Sequence, residues 1–232
     1  GVEILRDSAG AAKVDAALIG GKSYTIQGNG NVATLLDVDV DVAGSYDFST
    51  LVLDNTIANG IGGLNITGNA GNDTVVGTAG ADTIATGGGN DVITGGNGQD
   101  TITLGGGNDT VVIASGHAGT TGTTIDIVAA FKTAGTDVLK LGTAGTATNY
   151  VEVDMNTNAA SDYADALAAA NTALNGTVRF AVIENSVDTG TGWNGTANAL
   201  VFIDFNLDGD ADAAVQLTGV LGAGIAFGDI IA

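Results

Sequence analysis

The 232-residue sequence contains no cysteine, no proline and a single histidine, His117. Without cysteine there is neither a disulfide framework nor a thiolate metal site. Only 6 Lys+Arg stand against 26 Asp+Glu, a formal charge of −20. Nucleic acid and anionic membrane need a basic face, so neither is expected as a partner. No stretch approaches the roughly twenty uninterrupted apolar residues of a transmembrane helix, so no membrane span is expected. There is no HExxH, no GxSxG and no Cys/His nucleophile set, and one histidine offers little for acid–base work. The chain therefore reads as non-catalytic, with His117 in a surface loop. Its first residues, Gly1-Val2-Glu3-Ile4-Leu5, show neither an initiator methionine nor a signal peptide and read as a cut from a longer protein.

What the sequence has in abundance is glycine, 38 residues of it. From Gly68 to Val112 it falls into five uninterrupted nonapeptides: GNAGNDTVV, GTAGADTIA, TGGGNDVIT, GGNGQDTIT and LGGGNDTVV. The fourth position is always glycine (Gly71, Gly80, Gly89, Gly98, Gly107) and the sixth always aspartate (Asp73, Asp82, Asp91, Asp100, Asp109). The eighth is always β-branched: Val75, Ile84, Ile93, Ile102 and Val111. The glycines suit a turn whose backbone enters conformations that a Cβ forbids. The last triplet suits a short strand with only its middle residue pointing inward.

Two such units make one coil of a flattened helix, so strands 18 residues apart become neighbours at about 4.8 Å. Val75, Ile93 and Val111 then stack in one inner ladder, and Ile84 and Ile102 in the facing one. The turns stack too, with Asp73, Asp91 and Asp109 along one edge and Asp82 and Asp100 along the other. Carboxylates stacked this closely repel one another unless something neutralises them. A hard cation taking six or more oxygens fits, because the glycine turns add bare carbonyls to the aspartates. Magnesium fits less well, since it keeps its waters and demands a tighter octahedron. The expected pairs are Asp73 with Asp91, Asp82 with Asp100, and Asp91 with Asp109, giving at least three Ca²⁺ ions.

These nonapeptides resemble the RTX (haemolysin-type calcium-binding) repeat, whose fold is a parallel β-roll. The resemblance implies a mainly all-β fold: a calcium-binding β-roll or β-helix, then a C-terminal β-rich region with one helix. We expect three regions: a strand-rich segment 1–58 that caps or extends the solenoid, the β-roll 59–123, and the C-terminal region 124–232.

Upstream, Leu35-Leu-Asp37-Val-Asp39-Val-Asp41-Val42 alternates as a strand does. Asp37, Asp39 and Asp41 share one face, read as solvated in preference to the alternative of a calcium cluster. Gly62 and Ile66 keep the repeat's fourth and eighth positions while Leu64 replaces the aspartate, and one step earlier Asn55 and Ile57 keep the period. The solenoid is thus expected to continue upstream without full calcium sites and to template the coils that follow.

Downstream, Thr124–Phe131 and Gly135–Leu141 resemble the DxIxxF…GxDxLxL segment after the repeats of secreted RTX proteins. Asp126 and Asp137 there either close one further calcium site or belong to a plain strand pair. Residues 161–175 form the expected helix: Ser161 caps it, Tyr163, Leu167, Ala170 and Leu174 share a face, and Asn175-Gly176 ends it. Strands are expected at Val178–Ile183, Ala199–Ile203 and Ala213–Leu217. Between the last two, Asp204, Asn206, Asp208 and Asp212 stand at positions 1, 3, 5 and 9 around Gly209. That is a calcium-loop spacing without the EF-hand's closing glutamate, read as a weak calcium site against the alternative of an acidic hairpin loop.

The ending, Val215-Gln-Leu-Thr-Gly-Val-Leu followed by Phe227–Ala232, is similar to the uncleaved export signals of type I secretion substrates. The resemblance implies passage through the type I machinery and folding on calcium outside the cell or at its surface. Two roles are open: a structural surface protein, S-layer-like, that self-assembles with calcium, or the C-terminal export module of a secreted hydrolase such as a serralysin-type protease or a lipase.

Overall fold

A computed structural model describes residues 4–6, 13–15, 25–27, 36–40, 43–47, 52–54, 62–117, 119–121, 124–142, 145, 148–154, 163–185, 198–220 and 225–232. Six short strands precede the repeats: β1 (Ile4–Arg6), β2 (Lys13–Asp15), β3 (Thr25–Gln27), β4 (Leu36–Asp39), β5 (Ser45–Asp47) and β6 (Val52–Asp54). β7 (Leu64–Thr67) leads into one strand per nonapeptide: β8 (Thr74–Val76), β9 (Thr83–Ala85), β10 (Val92–Thr94), β11 (Thr101–Thr103) and β12 (Thr110–Val112). Then come β13 (Asp126–Ala129), β14 (Val138–Lys140), β15 (Tyr150–Asp154), helix α1 (Tyr163–Ala173), β16 (Phe180–Asn185), β17 (Asn198–Ile203), β18 (Ala213–Thr218) and β19 (Ile230–Ile231).

Alternate strands enter alternate sheets, as a two-strand coil requires. One sheet runs β19-β14-β12-β10-β8-β5, and the facing one runs β15-β16-β17-β18-β13-β11-β9-β7-β4-β2. All pairs in the roll are parallel, with Ile93 opposite both Val75 and Val111 and Ile102 opposite Ile84. Each middle residue of β8 to β12 is buried while its neighbours are not, so one side chain per strand fills the interior. β-Branched side chains suit this narrow core because they lose little rotamer freedom there.

The two ladders run beyond the nonapeptides at both ends. Leu139 and Ile230 extend one, through β14 and β19. Val38, Ile66, Val128 and Leu217 extend the other. The upstream coil expected from Gly62 and Ile66 is present at Leu64–Thr67, and the structure adds Ser45–Asp47 and Leu36–Asp39 beyond it, with Val38 and Val40 facing inward. Asn55, Ile57 and Asp41 lie outside the described residues.

β18, β17 and β16 continue the larger sheet with antiparallel pairs, so the C-terminal region grows directly out of the roll. Because side chains alternate along a strand, Val182, Val201, Ile203 and Val215 join the roll's core. Ala181, Ile183, Leu200, Phe202 and Ala214 face the other way and pack against α1. The helix buries Ala166 and Ala170, with Leu174 just past its end, while Leu167 is only half-buried. The expected face packs as read, with Ala170 and Leu174 buried and Leu167 against the same cluster, and Ala166 joins it because a small side chain admits the helix close to the sheet. Among the described residues no helix is long and apolar enough to cross a membrane.

Candidate metal centre

The turns between strands stack along the two edges of the roll and bring the aspartates into two columns. On one edge the order is Asp73, Asp91, Asp109 and Asp137. The amide of Asp73 donates to Asp91 Oδ1 at 2.8 Å, that of Asp91 to Asp109 Oδ1 at 2.9 Å, and that of Asp109 to Asp137 Oδ1 at 2.9 Å. On the other edge Leu64, Asp82 and Asp100 donate their amides to Oδ1 of Asp82, Asp100 and Asp126 at 2.6, 2.8 and 3.0 Å. Every carboxylate thus reaches back one coil and fixes the register of the turn before it.

All seven of these aspartates are buried, none more than 2% exposed. The second oxygens divide them. Asp73 Oδ2 accepts the Asn69 amide at 3.2 Å, Asp82 Oδ2 accepts the Thr78 amide at 2.6 Å, and Asp137 Oδ2 accepts the Lys132 amide at 2.6 Å. Among the described residues, Oδ2 of Asp91, Asp100 and Asp109 is buried with no hydrogen-bond partner. The Thr86 hydroxyl is buried beside Asp91, outside strict hydrogen-bond geometry yet close enough to favour the charged carboxylate. A buried carboxylate oxygen without a donor is costly and requires a partner.

Burial raises the proton affinity of these groups. It pushes Asp100 up to about 8, with the charges of Asp126 and Asp82 adding to the shift. It lifts Asp126 to about 7 and Asp109 to about 6. Asp82 and Asp91 are raised by the same cause. The orphaned oxygens therefore have two ways to be satisfied: take up a proton or meet a cation. Among the described residues no three carboxylates, histidines or cysteines converge on a point, so carbonyls must supply most of any coordination shell. An all-oxygen, carbonyl-rich donor set fits a hard cation such as calcium.

The glycines shape that shell. Gly89, Gly98 and Gly107 take φ of 112°, 107° and 124°, a region that favours glycine. A Cβ on Gly107 would run into the Gly89 carbonyl of the stacked turn. Gly71 and Gly80 lie outside this left-handed region, so the first two turns have a different shape from the next three.

Asp126 and Asp137 do not meet, which corrects the possibility of one shared site. β13 and β14 lie in opposite sheets, so each residue prolongs a different aspartate column. The C-terminal loop does gather Asp204, Asn206, Asp208 and Asp212, but through hydrogen bonds of its own. Asp204 accepts the amides of Leu207 (2.5 Å) and Gly209 (3.0 Å), and Asp212 Oδ2 accepts those of Phe205 (2.7 Å) and Asn206 (3.1 Å). Asn206 Nδ2 bridges to Asp208 at 3.1 Å and Asp212 at 3.2 Å. These bonds bring Asp204, Asn206, Asp208 and Asp212 together in one loop, an arrangement common to an acidic hairpin loop and a calcium loop.

Two features escaped the sequence. Asn72, Asn90 and Asn108 form a second column on the outer side of one edge. Their Oδ1 atoms accept the amides of Asn90, Asn108 and Thr136 at 2.7 to 2.8 Å, reaching forward where the aspartates reach back. The fifth-position asparagines were visible at 18-residue intervals. The second is the difference between Asn69 or Thr78 and the glycine at the same second position in later repeats.

Residues 65–84 and 76–111 match the family model of the RTX calcium-binding nonapeptide repeat, in four copies. This stretch therefore carries calcium-binding RTX repeats, and they are wound as a parallel β-roll. No curated protein matches the chain. Among solved structures, the chain is similar to the solution structure of the AlgE6R3 subunit from the Azotobacter vinelandii mannuronan C5-epimerase. The identity is 18% and the TM-score 0.46, over 72% of this chain and 76% of that one.

Proposed function

We propose that this chain is a non-catalytic module that folds on calcium after export, with ions held between stacked turns at Asp91, Asp100 and Asp109. The observation that carries the reading is the three buried, donorless Oδ2 atoms, each on the later member of a predicted pair. Asp91 looks back to the turn of Asp73, Asp100 to that of Asp82, and Asp109 to that of Asp91.

A ligand that binds only the folded form stabilises it by mass action. At affinities of about 10⁻⁴–10⁻³ M and calcium of about 1 mM, each site contributes roughly 0.4–1.4 kcal/mol. Three sites then give on the order of 1–4 kcal/mol, a large share of a small domain's margin. At a thousandfold less calcium the term vanishes and the buried carboxylates must protonate or separate. Such a chain stays extended in a calcium-poor cytoplasm, passes a type I channel, and folds outside. A formal charge of −20 leaves acidic surface beyond the three sites, which supports an S-layer-like role in which further calcium joins neighbouring copies at the bacterial surface.

Calorimetric calcium titration with circular dichroism in chelator tests the folding reading. Three ions and a strand signal that falls without calcium are expected; no uptake, or an unchanged signal, refutes it. Light scattering on calcium addition tests assembly. Large particles support the surface role, whereas a stable monomer returns the module to a larger secreted enzyme.

A further inference from the structure

The second residue of each nonapeptide sorts the turns into two classes. Resting on the calcium reading above, we propose that Asn69 and Thr78 are built-in substitutes for a cation. They close the first turn on each edge without metal, and the cation-binding turns stack on this pre-formed seed.

Asn69 sits at the second position of the first repeat. Its Nδ2 donates both to Asp73 Oδ2 (3.2 Å) and to the Val40 carbonyl of the preceding coil (3.0 Å), while its Oδ1 accepts the Gly71 amide at 2.6 Å. A carboxylate oxygen and a main-chain carbonyl from adjacent coils are the ligands that a calcium ion between turns would join. Here two N–H donors of a neutral amide join them instead.

Thr78 satisfies the carboxylate on the other edge with different chemistry, from within its own turn. Its amide and hydroxyl both donate to Asp82, at 2.6 to 3.1 Å, and the Gly80 amide donates to Thr78 Oγ1 at 3.0 Å. In the third, fourth and fifth repeats this position is Gly87, Gly96 and Gly105. Those are the repeats whose aspartate Oδ2 has no donor. The backbone follows the same division, with Gly89, Gly98 and Gly107 left-handed and Gly71 and Gly80 not. Side-chain closure, aspartate satisfaction and glycine conformation therefore change together between the second and third repeats.

The consequence is an ordered assembly. In chelator the coils around Leu64 and Thr78 keep their hydrogen bonds, because both amides donate to an Asp82 that needs no ion. The amides of Asp82 and Asp91 donate to the open carboxylates of Asp100 and Asp109, so they lose theirs.

Residue-resolved amide exchange on the full chain in chelator tests this directly. Leu64 and Thr78 should exchange at least about tenfold more slowly than Asp82 and Asp91, and equal rates at all four would overturn the proposal. Calcium stoichiometry by calorimetry gives a second reading. Asn69→Gly restores the glycine of the later repeats and should raise the count by one ion, whereas Asn69→Ala should not. An unchanged count in Asn69→Gly, with wild type still binding calcium, overturns the substitution idea alone. A wild type that binds no calcium removes the functional reading on which it rests.

Discussion

The amide of Asp91 donates to Oδ1 of Asp109 at 2.9 Å, while Oδ2 of that same carboxylate is buried without a partner. One oxygen sets the register of the coils and the other is left for a ligand. Asp109→Asn separates the two jobs, because an amide oxygen can still accept the Asp91 N–H. The variant should keep the β-roll signal in calcium, lose ion binding at that turn, and fall by roughly 0.4–1.4 kcal/mol in calcium-saturated stability. Asp100→Asn should do the same on the opposite edge. Calorimetric ion counts and denaturant melts check both, and a full complement of ions in either variant contradicts the assignment.

Acid and calcium should act as rivals at these carboxylates. Burial raises Asp109 to about 6, Asp126 to about 7 and Asp100 to about 8, all above their ordinary value of 3.8. The folded form thus binds more protons than the unfolded chain. In chelator their contribution is complete below about pH 4 and is lost as pH rises through the window from about 6 to 8. With calcium the sign reverses, since the ion needs the deprotonated groups and its affinity climbs over the same window. Thermal melts from pH 5 to 8.5, with and without chelator, should give curves of opposite slope.

A pair of adjacent glycines offers an internal control on the stacked turns. Gly107 has φ of 124° and a Cβ there would strike the Gly89 carbonyl, whereas a Cβ on Gly106 meets nothing within 4 Å. Gly107→Ala should cost about 1–3 kcal/mol through backbone strain alone, and more from the collision. Gly106→Ala should be close to neutral. Chemical denaturation of the two variants decides it, and equal losses would contradict the stacking geometry.

Lys132 ties the end of the roll to the C-terminal strand. Its Nζ meets Asp229 Oδ2 at 2.8 Å, and that oxygen also accepts the Ala226 amide at 2.8 Å, just before β19 pairs with β14. Lys132→Met keeps the stem but leaves a buried carboxylate short of its cation. A loss of about 1.5–3 kcal/mol is expected, as for other hydrogen bonds to charged groups. The amides of Leu141 and Gly145, bonded to Ile231 and Ile230, should exchange faster first.

The repeat made most of this legible. A side chain period of two and a turn every nine residues place Val75, Ile93 and Val111 in one ladder with no tertiary information, and the strands pair in that register. The aspartate columns follow from the same arithmetic. Legibility fails where the period does. From Asp100 to Asp126 and from Asp109 to Asp137 the spacing is 26 and 28 residues, so counting cannot tell that the two residues belong to opposite edges. In α1 the spacing of Leu167, Ala170 and Leu174 picks out the packed face but misses Ala166, whose small side chain also lies against the sheet. At Asp204–Asp212 the residue types and spacing are shared by an acidic hairpin loop and a calcium loop, and no periodic context separates the two.

That loop yields the last test. Asp204 is fully buried and its two oxygens accept the amides of Leu207 and Gly209, holding Leu207 at φ of 64° and Gly209 at 97°. A non-glycine residue in that region costs energy and persists only when its surroundings enforce it. Asp204→Ala removes both acceptors, so about 1–3 kcal/mol should be lost. Because the carboxylate is occupied by backbone donors, the loss should be the same in calcium and in chelator. Asp109→Asn should behave differently, costing stability only when calcium is present. Measuring both variants under both conditions separates a carboxylate that organises its own loop from one that awaits an ion; a calcium-dependent loss in Asp204→Ala would make the loop a metal site after all.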